Sequence, residues 1–163
     1  MKKSNLSLER DFLKDILEEA YFKKAWHGPN LHSALNGVTA DDALKRPSKG
    51  RNNIYEITIH SAYWVYRVIN RIRKNPGLKF PLKGNNWFES PKTLTNTEWK
   101  KIKKLLNELH KELFNLISEL SSREFKSKTE KEKQIISRLL VGISMHDVYH
   151  AGQIQLIKKL IKR

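Results

Sequence analysis

The chain has no cysteine. Disulfides, thiolate metal sites and a cysteine nucleophile are therefore excluded, and the compartment leans towards the cytoplasm. No run of about 18 uncharged apolar residues is present, so no transmembrane helix is expected. The basic start, Met1-Lys-Lys, is not followed by an apolar stretch, so a secretory leader is not expected either. Strand-period alternation and internal repeats are missing. So are a glycine-rich phosphate loop, a G-x-S-x-G elbow and an H-E-x-x-H pair. Acidic residues are scarce: 17 Asp and Glu stand against 32 Lys and Arg, a net charge of +15. Such a field favours anionic partners: nucleic acid, an acidic membrane surface or a small acidic ligand. It equally describes lysines that solvate the outer faces of amphipathic helices. Lys100, Lys101, Lys103 and Lys104, interleaved with Trp99, Ile102, Leu105 and Leu106, fit that second reading.

What is present is helical periodicity. A length of 163 residues suits a single domain spanning 1–163. The first long segment runs from about Ser7 to Ala25, with Leu13, Ile16, Leu17 and Ala20 on one face, and Gly28-Pro29 ends it. Thr39 begins a capping pattern for a short helix from Ala40 to Lys45, stopped by Pro47. The second long segment covers about Asn53 to Lys74, capped by Asn53 and Glu56, with Ile57, His60, Trp64, Val68 and Ile72 along its buried stripe. A linker from about Asn75 to Asn96 carries Pro76, Gly77, Pro81, Gly84 and Pro91. It is too long for a tight turn and suits a crossover along a bundle, anchored by Trp87 and Phe88. The third segment opens on the capping box Thr95 to Glu98 and continues through Leu106, Leu109, Leu113, Leu116 and Leu120. The fourth opens on a second such box, Thr129 to Glu132, and its stripe reads Ile136, Leu139, Ile143, His146, His150, Ile154, Ile157, Ile161. The expected fold is all-α: a four-helix bundle with a long crossover between its second and third long helices.

Two histidines thus stand where the seam of the fourth helix calls for apolar residues. His146 and His150 are four apart, one turn apart on one face, so both imidazoles can reach a common ion. That spacing alone is common. His60, inward on another helix, would complete a three-histidine set with coordination positions left open. The competing reading is three core histidines, each satisfied by a carbonyl or a hydroxyl. Burying three unpaired imidazoles without a shared purpose would cost about 1–3 kcal/mol each.

The stretch Met145-His-Asp-Val-Tyr-His-Ala-Gly-Gln-Ile154 resembles the C-terminal helix signature of the DinB-like (YfiT-type) metal-binding bundles. Ile54 to Trp64, with a histidine followed by an aromatic one turn later, is similar to that family's second-helix motif. Trp26-His-Gly-Pro29, Leu35 to Asp42 and Arg46-Pro47 are similar to its first-helix exit and following loop. The resemblance implies that His60, His146 and His150 ligate one divalent metal ion per chain. Three imidazoles suit zinc or nickel first, and iron after them. It also implies a crossover after the second helix and a homodimer.

By resemblance, the expected function is a metal-dependent enzyme, a thiol S-transferase or a hydrolase acting on a small molecule. The histidines would hold the ion, and Gln153, on the same face, would position a bound water or substrate. Since the chain lacks cysteine, any thiol would be a low-molecular-weight cosubstrate. A non-catalytic metal sensor or stress-response module needs the same ligands, and a pocket closed by Trp87 and Phe88 would favour it. Non-specific nucleic-acid binding rests on the charge alone, with no recognition motif and no membrane partner expected. Glu56 is read either as a solvated helix-start carboxylate or as an acceptor for His60, and Asp147 as a partner of a surface lysine or as support for the site. His27 is read either as lining the site entrance or as an ordinary loop histidine. His32 and His110 carry no pattern and are taken as structural or exposed.

Overall fold

The computed structural model describes residues 5–73, 79–129 and 133–162. Among these, seven helices and no strands occur: α1 (Asn5–Tyr21), α2 (Leu31–Ala34), α3 (Ala40–Leu44), α4 (Ile54–Ile72), α5 (Asn96–Glu119), α6 (Ser122–Phe125) and α7 (Ile136–Leu160). The four long ones form the bundle: α4 packs on α5 and α7, and α1 packs on α7 and α5. Ile59, Ile69, Leu106, Leu113, Ile117, Leu140 and Ile154 fill its centre, fully buried. Each such aliphatic side chain stabilises the fold by about 1.5–3 kcal/mol. Trp99 is buried with them, and its indole N–H donates to the Val38 carbonyl at 2.9 Å.

The caps on α3, α4 and α5 fall where expected, at Thr39, at Asn53 with Glu56, and at Thr95 with Glu98. Two boundaries differ. Helix α1 stops at Tyr21, short of Ala25. The Glu18 carbonyl accepts from both Phe22 and Lys23, and the Asn30 amide takes the Lys23 carbonyl at 2.6 Å, which turns the chain early. Helix α7 begins at Ile136, not just after Thr129. The Thr129 hydroxyl accepts from Gln134 N–H at 3.3 Å, and residues 127–129 pair with 134–136 through the Ile136-to-Ser127 and Thr129-to-Gln134 bonds. Lys133 sits there at φ 52°, outside helical space. Glu132, the expected capping partner, lies outside the described residues. Two short helices, α2 and α6, were not anticipated. Ser121 and Glu124 form a full capping box on α6.

Helices α4 and α5 run in the same direction. The Tyr55 and Trp99 rings near their starts lie 6.4 Å apart, and Arg73 just past the end of α4 pairs with Glu112 well along α5 at 2.5 Å. Parallel neighbours need a connection that returns the length of the helix. The described part of that connection descends α4 turn by turn. Phe80 packs on Tyr66 and Tyr63, and Asn85 accepts from the Tyr63 hydroxyl at 2.8 Å. Asn86 and Trp87 reach His60, and Ser90 reaches Glu56 and Asn53. Gly84, at φ 142°, lets this strap press against the Phe88 ring: a Cβ there would stand 2.8 Å from it. The described residues of this connection thus form a strap along one face of α4, and Phe88 is its buried anchor.

Candidate metal centre

Helix α4 brings His60, and α7 brings His146 and His150, to one point between them. The Nε2 atoms of His60 and His150 each lie 3.1 Å from Nε2 of His146. One ligand atom from each ring falls within 4.8 Å of the others. Nitrogens about 2.0–2.1 Å from a shared ion at tetrahedral angles stand roughly 3.3–3.4 Å apart, so the spacing suits a common ion.

The outer nitrogens decide which lone pairs face inward. His60 donates from Nδ1 to the Asn86 carbonyl at 2.9 Å, and His150 donates from Nδ1 to Oε1 of Gln153 at 2.7 Å. With their protons there, both rings turn an Nε2 lone pair towards His146. A single proton on His146 Nε2 can serve only one of them, whereas a cation satisfies all three. Nδ1 of His146 is buried without a partner among the described residues. This donor set, three neutral nitrogens with two tautomers fixed from behind, fits a borderline divalent ion.

Electrostatics point the same way. Burial, then the neighbouring His150 and His60, push His146 down to about 3. Burial also pushes His150 down to about 4, against the Gln153 hydrogen bond. Burial lowers His60 as well, against the Asn86 carbonyl. All three rings are therefore neutral near pH 7, the protonation state a metal requires. A pH prediction follows for the metal-free protein. The unfolded rings titrate near 6.5 and the folded ones lower, so the unfolded state binds more protons between these values. The stability they contribute is fully present above about pH 6.5 and is lost as pH falls towards 4 and below. Melting temperature of the chelated protein should decline across that window, above the range where carboxylates titrate. A flat profile from pH 6.5 to 5 would contradict it.

Aromatic groups wall the cluster. Trp87 stacks on the His60 ring, centroids 3.8 Å apart and planes 8° apart, while remaining 42% exposed. Trp64 meets His60 and His146 edge-on and donates its indole N–H to Oδ1 of Asn86 at 3.0 Å. Phe88 turns away to pack on Tyr63 and Phe80, so of the two expected closing aromatics only Trp87 touches the site.

The chain belongs to the DinB superfamily. The model of that superfamily matches residues 22–154, most of the chain and all three histidines. No curated protein and no solved structure matches.

The remaining candidates of this DinB-superfamily chain distribute as follows. Gln153 uses its amide between His150 and Tyr149, whose hydroxyl accepts from Nε2 at 3.0 Å, so it stands behind a ring of the cluster. Glu56 follows neither reading. It is buried, paired with Arg46 and bonded to the backbone of Asn53 and Ser90. Burial would raise its carboxyl, but Arg46 and those donors outweigh that and hold it below the usual range. Asp147 pairs with no surface lysine among the described residues. It is wholly buried against His110, Oδ2 to Nε2 at 2.9 Å. His27 is exposed beside Trp26. Asn86 was missed because its backbone carbonyl carries no side-chain signal. His110 is the structural one of its two readings: it is buried on the face of α5 that carries Leu106, Leu113 and Ile117, and it supplies the partner of Asp147.

Proposed function

We propose that His60, His146 and His150 hold one divalent ion, zinc or nickel before iron, and that the chain is a metal-dependent enzyme on small molecules, a thiol S-transferase or a hydrolase. The observation that carries this reading is the convergence of three histidine Nε2 atoms on one point. A bound ion supplies Lewis acidity that makes water or a thiol nucleophilic near neutral pH. The chain's own residues supply the rest. Asn86 and Gln153 fix two rings in their ligating tautomers, and Trp87 and Trp64 shield the cluster from bulk water. A cysteine-free chain leaves any thiol to arrive as a cosubstrate. The expected homodimer has a candidate surface in the exposed stripe Met145, Tyr149 and Leu156 of α7, with Gly142 one turn before Met145 and Gly152 between Tyr149 and Leu156.

Gln153 is a positioning residue in this account. Replacing it with Leu should weaken zinc affinity about 10–100-fold, as loss of a partner behind a ligating histidine does. Competition with a chelating indicator reads this directly, and unchanged affinity would remove Gln153 from the site. For activity, the zinc- or nickel-loaded protein is offered an aryl halide with cysteine, glutathione or coenzyme A, and activated esters separately. Turnover above that of free metal, lost in His150→Ala, is the expected result. If none of these is turned over, the enzymatic reading falls while metal binding stands or falls on its own measurement.

A further inference from the structure

Beside the cluster, α4 and α7 enclose a hollow of about 520 Å³ that His146 lines. Its walls are Trp64, Val68, Leu139 and Ile143, and Arg71, Lys128, Lys133 and Arg138 also line it. No carboxylate is among the described residues that line it. The order along each helix is the same. Trp64, Val68 and Arg71 share one face of α4; His146, Ile143, Leu139 and Arg138 run the opposite way in sequence along α7. At about 1.5 Å per residue, Arg138 lies roughly 12 Å from His146 and Arg71 roughly 10 Å from Trp64. Arg71 stacks over the Trp64 ring at 5.5 Å. Lys128 is held at the rim by its backbone bridge to Ile135. A second hollow of about 630 Å³ shares Arg71 and Lys128 and adds Arg67, Lys83 and Arg73, but Glu124 lines it too and Arg73 is paired with Glu112, so the charge there is mixed.

Apolar walls alone accept any greasy ligand, and a positive rim alone accepts any anion. Together, at this separation, they select a molecule that is both. We infer that the site takes an amphipathic anion: an apolar body about 10 Å long, seated between Trp64 and Leu139, with a carboxylate or similar anionic group at Arg138 and Lys128. Its other end, placed at the histidines, is the one that reacts, and that part rests on the metal-dependent reading above. The occupant is a single small molecule, since the hollow is a pocket between two helices and not an extended face.

The test uses the full chain loaded with zinc, titrated calorimetrically with octanoate, octylammonium and inorganic phosphate. Octanoate should bind at least tenfold more tightly than octylammonium, and phosphate should not displace it. Arg138→Glu, an exposed position away from the histidines, should reverse the order of octanoate and octylammonium. Equal affinity for the two chain compounds, an unchanged order in Arg138→Glu, or binding to anionic lipid vesicles without binding to octanoate would overturn the proposal. Zinc content is measured on the same samples. Charge-selective binding without bound zinc would sink the metal reading alone, and full zinc with no charge selectivity would sink this one alone.

Discussion

Replacing His110 with Leu should cost about 3–5 kcal/mol of folding stability, a large share of what a domain of this size has. Both partners of the His110–Asp147 contact are buried in the bundle centre, and the Tyr21 ring lies flat on His110, centroids 3.5 Å apart. His110 Nδ1 donates to the Leu106 carbonyl at 2.9 Å, so one further proton must occupy the Nε2-to-Oδ2 contact. Either the histidine carries it and faces a carboxylate, or the acid carries it and faces a neutral ring. The pair is neutral overall in both descriptions. Burial pushes the Asp147 carboxyl up, and His110 pulls it down. Without His110 that carboxyl keeps no partner, and its Oδ1 already has none among the described residues. Asp147→Asn should cost far less, about 1 kcal/mol, because the amide donates to Nε2 while Nδ1–H stays on Leu106. The double variant with Leu at both positions should lose less than the sum of the single Leu variants, since it leaves no orphaned charge. Urea denaturation of the wild type and the four variants reads the whole pattern. Additive losses, or an Asn variant as damaged as His110→Leu, would show that the pair does not share a proton.

Alanine at His60, His146 or His150 should weaken zinc binding by at least about 100-fold each, more than loss of an outer partner does. His146 should matter most. Its Nε2 is the atom within 3.1 Å of both others, so its removal also separates the remaining pair. The signature in stability is distinctive. Metal at about a thousand times its dissociation constant adds roughly 4 kcal/mol to the wild type. His146→Ala should show almost none of that gain, yet be no less stable than wild type when both are metal-free near pH 7, because it removes a ring whose buried Nδ1 has no partner among the described residues. Melting curves with and without zinc separate this from simple damage to the core. A metal-free variant that melts well below the metal-free wild type would mean that His146 is a packing residue.

The bundle could be read from periodicity because its buried stripes repeat every three or four residues, and because Thr39, Asn53 and Thr95 are caps whose chemistry is local. The candidate ligands could be read for the opposite reason. His60, His146 and His150 interrupt apolar stripes, and a polar residue in such a place calls for a partner. What escaped the sequence is non-local. The start of α7 is set by pairing of residues 127–129 with 134–136, which overrides the capping pattern at Thr129. Glu56 looked solvated because its partner Arg46 comes from the preceding loop. Asp147 looked like a surface acid because the ring it meets stands 37 positions earlier on another helix. Asn86 fixes a histidine through a backbone carbonyl, which any residue has.

The most direct measurement is X-ray absorption of the untagged protein carrying one equivalent of zinc, with metal content determined on the same sample. About one zinc per chain, surrounded by three imidazole nitrogens at about 2.0–2.1 Å and one exchangeable oxygen ligand, is the expected result. Metal content near zero, or a zinc surrounded by oxygen with fewer than three imidazoles, would contradict the account.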